Sequence, residues 1–269
     1  MTPAKPDAAR VDALGARVLA SRSRALLATA SIIGALLLWA ALTAAGWVDR
    51  VLLPSPQEVL RSLVDSVRDG SLARHVGASL LRVLEGFAIA LVAAVPMGIA
   101  MGVSPVTRGI LEPLLELLRP IPPIALIPLA ILWFGIEELS KVLIIAYGAF
   151  FPILLNTMAG FGEVDPVHVR AAQALGAKRH HIFRDVVLRS AFPFIVVGAR
   201  VGMGMAFIVL VAAELIASSA GLGFLISDAR YNFRTDQMFL GMGMIGVLGF
   251  ALNKALLDVE RRLLKWKAP

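Results

Sequence analysis

The chain of 269 residues is 58% hydrophobic and 17% charged, with a mean hydropathy of +0.79; soluble domains carry roughly 25% charged residues. Whole windows of about 20 residues hold no charge, which excludes an ordinary soluble core and marks a membrane protein. The net charge of +7 flanks apolar segments and lines no single face or tail, so no nucleic-acid partner is implied. The absence of cysteine excludes disulfides, thiolate chemistry and cysteine-held metals. The four histidines, His75, His168, His180 and His181, offer no metal set, since the adjacent His180 and His181 diverge on a helix.

Residues 1–24, with Lys5, Arg10, Arg17, Arg22 and Arg24, are expected to form a cytoplasmic tail. A first span is predicted over Leu26 to Ala45, with Trp47 at the interface. A secretory signal shares this basic-then-apolar order, but further spans follow, so retention is expected. Pro54-Ser55-Pro56 stops any helix. Beyond it Val59, Leu60, Leu63, Val64 and Val67 mark the apolar face of an amphipathic helix lying on the outer membrane surface. The next spans are predicted over Ala78–Met101, Leu114–Phe134, Val142–Phe161, Phe192–Ala213 and Phe239–Leu257. The third holds Pro120, Pro122, Pro123 and Pro128, which remove amide donors and require a broken helix.

The expected fold is therefore an all-α membrane protein with six transmembrane helices. With both ends inside, inner segments carry 17 basic residues and outer segments seven, as positive-inside ordering requires. The expected divisions are a tail over 1–24, a first span with an outer amphipathic segment over 25–75, a core over 76–261 and a cytoplasmic tail over 262–269.

Residues 162–191 form the longest inner segment. Asp165-Pro166 is a helix start, with a carboxylate cap and proline at the first position. A helix from Val167 to Leu175 would end at Gly176, and a second would run from Ala177 to Leu188. Two short helices at a glycine corner make a rigid elbow, suited to receiving force from a cytoplasmic partner. A basic loop touching lipid head groups is the plainer reading.

The stretch Arg170-Ala-Ala-Gln-Ala-Leu-Gly-Ala177, continuing through Phe-Arg-Asp-Val-Val-Leu-Arg-Ser-Ala-Phe-Pro193, resembles the EAA loop of permease subunits in binding-protein-dependent ABC importers. Leu53-Pro-Ser-Pro-Gln-Glu-Val-Leu60, Leu118-Arg-Pro-Ile-Pro-Pro-Ile-Ala125, Leu132-Trp-Phe-Gly-Ile136, Phe150-Phe-Pro-Ile-Leu-Leu-Asn-Thr157 and Glu260-Arg-Arg-Leu-Leu-Lys-Trp266 narrow it to the nitrate, taurine and alkanesulfonate branch. The resemblance implies that Arg170, Ala171, Ala172, Leu175, Gly176, Ile182 and Phe183 form the loop that docks on an ATP-binding subunit. Arg170 replaces the family's usual glutamate, and Arg189 stands where proline is typical.

The resemblance further implies a bacterial inner-membrane protein acting as a homodimer. Its partners would be two ATPase subunits, a solute-binding protein and membrane lipid. ATP and magnesium would be held by the ATPase partners and no cofactor by this chain. The cargo it implies is a small anion: taurine, an alkanesulfonate or nitrate. An aromatic carboxylate, a vitamin precursor or an ion-coupled secondary mechanism are the alternatives.

No nucleophile–base–acid set and no G-x-x-x-x-G-K-[ST] phosphate loop is present, so no catalytic residue is assigned. Gly241-Met-Gly-Met-Ile-Gly246 spells a dinucleotide fingerprint but lies inside an apolar span, where close helix packing is the reading. Gly198, Gly202 and Ala206 make a smooth strip for a neighbouring helix, from the same subunit or its twin. Arg200 and Glu214, roughly 21 Å apart on a helix, are candidates for the translocation path or for structural pairing. Arg82 and Glu85 are spaced to pair with each other.

Overall fold

The computed structural model describes residues 27, 30, 31 and 33–264. The expected amino-terminal tail and the last five residues of the carboxyl-terminal tail lie outside the described residues, as does part of the first span. Among the described residues the architecture is helical, without strands. It comprises α1 (Ile33–Ala44), α2 (Pro56–Arg68), α3 (Ser71–Val103), α4 (Pro105–Leu118), α5 (Ile127–Phe134), α6 (Glu138–Gly162), α7 (Pro166–Ala174), α8 (Arg179–His181), α9 (Leu188–Ala217), α10 (Leu222–Tyr231) and α11 (Thr235–Leu263). Helices long and apolar enough to cross a membrane number four among the described residues, or five if the bent α4–α5 pair is one span. The described part of the predicted first span is the shorter apolar helix α1.

Helix α2 starts where the sequence says it should. The Ser55 hydroxyl accepts the Glu58 N–H at 3.3 Å, and the Glu58 carboxylate accepts the Ser55 N–H at 2.7 Å. This reciprocal cap satisfies two otherwise orphaned donors, and those hydrogen bonds hold the Glu58 carboxyl below the usual carboxylate range. Ser62 and Ser66 turn inward while Leu60, Val64 and Val67 face out. The small face thus packs on the protein and the apolar stripe stays exposed. The Trp39 indole donates to the Pro54 carbonyl at 3.0 Å and stacks on Phe239, tying α1 to α11.

The centre of the molecule is a slab of α3, α6 and α9. Its core includes Val83, Ala90, Ala94, Ile145, Ala149, Ile153, Leu154, Ala206 and Leu210. Glycines bring the backbones close: an added Cβ at Gly86 would strike Ile145, at Gly98 Thr157, and at Gly202 Ile153. The Gly198–Gly202–Ala206 strip therefore receives α6 of the same chain. The fingerprint-like glycines sit within helix α11, where Gly241 packs on Ile226 of α10. No strand–turn–helix exists there, so the nucleotide spelling is empty.

The third span is broken, as its prolines require, but it begins nine residues before the predicted Leu114. Ser104 caps α4, accepting the Thr107 N–H at 3.2 Å, and Pro105 takes the first helical position. A 3₁₀ turn over Pro123–Leu126 follows, and the two halves meet at 81°. Tyr147 of α6 donates its hydroxyl to the Leu118 carbonyl at 2.7 Å, a second donor beside the Ile121 N–H at 3.0 Å, and so braces the break.

The inner segment differs from expectation in its second half. Helix α7 and its Asp165 cap stand as predicted, and Gly176 takes φ +79° at the corner. The second arm is not a separate helix. From α8 the chain winds through a π-helical segment, Ile182–Val187, directly into α9. Arg189 keeps the backbone N–H that a proline there would lack, so nothing interrupts the winding. A further helix not anticipated from sequence, α10, folds back beside α9 and α11.

Candidate coupling elbow and intramembrane charge sites

The corner at Gly176 presents its apolar and basic side chains outward. Leu175 is 88% exposed, and Arg170, Ala171 and Gly176 are exposed beside it, while Ala172 is half-buried. An exposed leucine on a rigid corner flanked by small residues is a knob without a hole in this chain. Ile182 and Phe183 do the opposite. Ile182 is buried, and Phe183 stacks on Phe161 of α6 at 6.5 Å, so both anchor the elbow to its own spans.

A polar knot lies at the opposite end of the slab. Arg82 of α3 is 3% exposed and does not pair with Glu85, which is exposed on another side of the helix. Its Nη1 donates to Glu214 Oε1 of α9 at 2.7 Å, and its Nη2 donates to Glu138 Oε1 of α6 at 2.7 Å. Glu214 is 1% exposed; both its oxygens accept from the Ser79 hydroxyl, at 2.8 and 2.9 Å. Gly223 also donates its N–H to Glu214 Oε2 at 2.9 Å. Lys141, buried beside Glu138, donates to the Ile136 carbonyl at 2.8 Å and so closes the α5–α6 connection. Each buried charge thus meets an opposite charge and further hydrogen bonds, the condition under which burial is tolerated.

Sequence spacing missed this knot because the partners are 56 and 132 residues from Arg82. The signal available was depth: Arg82 and Glu214 each interrupt an apolar span near the same predicted membrane face. The position of Glu214 as a candidate path residue is fully enclosed, with its oxygens engaged by groups of this chain. Arg200 differs. It lines a cavity of about 240 Å³ between α9 and α11 with Met203, Gly204, Phe207 and Asn253, and its Nη1 donates to Glu260 at 2.9 Å.

A slab of tightly packed apolar helices, a broken third span and a glycine corner before α8 are the features expected of an importer permease subunit. The family model described as "Binding-protein-dependent transport system inner membrane component" matches residues 87–265. The chain belongs to that family. It is 42% identical over 224 residues to the taurine transport system permease protein TauC of Escherichia coli K12, covering 81% of this chain and 82% of the relative. It is 37% identical to the putative aliphatic sulfonates transport permease protein SsuC of Bacillus subtilis 168, covering 86% and 83%. Against the nitrate import permease protein NrtB of Synechocystis, identity is 30%, covering 77% and 79%. An inward-facing structure of the MetNI methionine ABC transporter shares the fold, with TM-score 0.62 and 20% identity, over 71% of this chain and 95% of that one. The protein is thus a multi-pass inner-membrane permease and a non-catalytic subunit, with ATP hydrolysis on a separate chain.

Proposed function

We propose that this permease imports a small anion, with taurine or another alkanesulfonate first and nitrate next. The observation that carries the reading is the 42% identity to a taurine permease across 81% of the chain. Two copies enclose the path, a solute-binding protein delivers cargo from outside, and two ATP-binding subunits, which hold ATP and magnesium, dock on the elbows. The docking surface consists of Arg170, Ala171, Ala172, Leu175 and Gly176, held in place by Ile182 and Phe183. The exposed Leu175 supports this assignment, since a partner groove would bury it. Arg200 supplies the attractive charge on the path, and Glu214 fixes the outer ends of the helices. Calorimetry on the partner solute-binding protein tests the cargo, comparing taurine, longer alkanesulfonates, nitrate and neutral heterocycles. Tight binding of a sulfonate is expected. Tight binding of a neutral heterocycle, with no anion bound, would overturn the cargo while leaving the family intact.

A further inference from the structure

We propose that His75, Ser79, Arg82 and Glu214 lock the outer ends of α3, α6, α9 and α10 into one body that moves as a unit during transport, with Arg82 as the positioning residue for the turn at 218–221. The proposal rests on the importer reading, because it concerns which parts move when ATP drives the cycle.

The first observation is the turn before α10. Its successive backbone groups are each held by a different buried side chain. The Ala220 carbonyl accepts from Arg82, Gly221 donates to His75 Nδ1 at 3.1 Å, Leu222 donates to the Ser79 hydroxyl at 2.9 Å and Gly223 donates to Glu214. The last three are donors of the kind that a helix start leaves without intrahelical partners. These side chains are buried from solvent, so separating α10 from α3 or α9 would strand several donors and two charges together. Gly221 adopts φ +122°, and a Cβ there would run into the Glu214 carboxylate. The turn is therefore cut to fit around that carboxylate.

The second observation is independent of the charges. Along the slab, Gly86 meets Ile145, Gly98 meets Thr157, Gly148 meets Val209 and Gly202 meets Ile153. Interdigitated surfaces at this spacing do not slide by fractions of a side chain, since packed interiors deform little. Helix α4 contrasts with this: none of its residues is buried. Relative motion accordingly belongs to α4 and the second copy, not to the interior of the slab.

The absence of native cysteine makes the test direct. Cysteine pairs at the exposed positions Leu81 and Tyr231, and at Leu139 and Tyr231, are spin-labelled in the complete ATPase-bound complex. Labelled chains are diluted with unlabelled ones so that only distances within one copy are read. A single label at Leu81, undiluted, reports the distance between copies. On adding ATP and the solute-binding protein, the distance between copies is expected to shift while both internal distances stay fixed. Internal distances that shift as much as the reference would overturn the rigid body. A reference that never shifts in a complex hydrolysing ATP would instead count against the importer reading.

The positioning role has its own readout. Arg82→Gln is expected to broaden the Leu81–Tyr231 distance and to lower solute moved per ATP hydrolysed about tenfold, with ATPase stimulation kept. Should that variant fail to insert, Ser79→Ala removes the acceptor for Leu222 and a donor to Glu214 while leaving the ion pair. Unchanged distances and unchanged coupling in whichever variant assembles would sink the role.

Discussion

Arg82 has two carboxylate partners and Glu214 has one guanidinium, and this asymmetry sets the cost of losing each. Glu214→Ala leaves Arg82 paired with Glu138, whereas Arg82→Ala leaves the enclosed Glu214 with only Ser79 and a backbone N–H. Removing one side of a buried pair costs about 3–5 kcal/mol. Arg82→Ala is therefore expected at the top of that range and Glu214→Ala below it, read as loss of thermal stability in purified, detergent-solubilised protein. Equal losses would mean that Glu138 carries none of the Arg82 charge. Neither pairing was legible from spacing, because i,i+3 logic offered Glu85, which the helix turns elsewhere. Local rules report neighbours along a helix, and these partners meet only once three helices have packed. The cap at Asp165 and the glycine at 176 were legible for the opposite reason: each acts within a few residues of itself.

Among the elements, the elbow ties sequence most closely to mechanism. At φ +79° a residue other than glycine is strained, by roughly 1–2 kcal/mol for most side chains. Asparagine tolerates that region and β-branched residues do not. Gly176→Val is therefore expected to lose most binding-protein-stimulated ATP hydrolysis, and Gly176→Asn to keep it. The check is ATPase activity of reconstituted complexes with and without the solute-binding protein. Equal activity in both variants would remove the corner from the coupling surface. The start of the elbow was readable in Asp165-Pro166, which caps α7 as written. Its second arm was not readable as the foot of α9, since its apolar period is the same whether a helix stops at Leu188 or continues. What distinguishes the two is helical backbone that continues through the π-helical turn into α9, with Pro193 seated inside it, and Arg189 in place of proline was the visible clue.

For the whole molecule, the asymmetry of basic residues gives the expected orientation, which can be tested without removing any functional residue. A cysteine introduced at Ala177 is expected to react with an impermeant maleimide only from the cytoplasmic side. Reaction from the outside alone would invert the topology and put the elbow out of reach of any ATPase. In the expected orientation the elbow and the charged knot occupy opposite faces, joined by α9. At 1.5 Å per residue, its 30 residues span about 45 Å. On the proposed coupling role, a displacement at Gly176 is expected to travel up one rod to Glu214 and, through Arg82, into α3 and α6. Periodicity and prolines revealed the character of most spans, of which four, or five with the bent pair, are long and apolar enough to cross among the described residues. The lateral arrangement, with α10 tucked beside α9 and α11, depended on contacts that no window of sequence contains.

The bend between α4 and α5 bears on how the chain is made. Its prolines supply no N–H; the Leu118 carbonyl holds the Ile121 N–H at 3.0 Å, and Tyr147, 29 residues later in the chain, adds a hydroxyl to it and reaches the Ile121 carbonyl at 3.4 Å. A nascent polypeptide that has delivered α4 and α5 to the bilayer has not yet delivered the hydroxyl that completes them. The bend is thus complete only once α6 lies beside it, so the bent pair and α6 are expected to settle into the bilayer together, as a single hairpin.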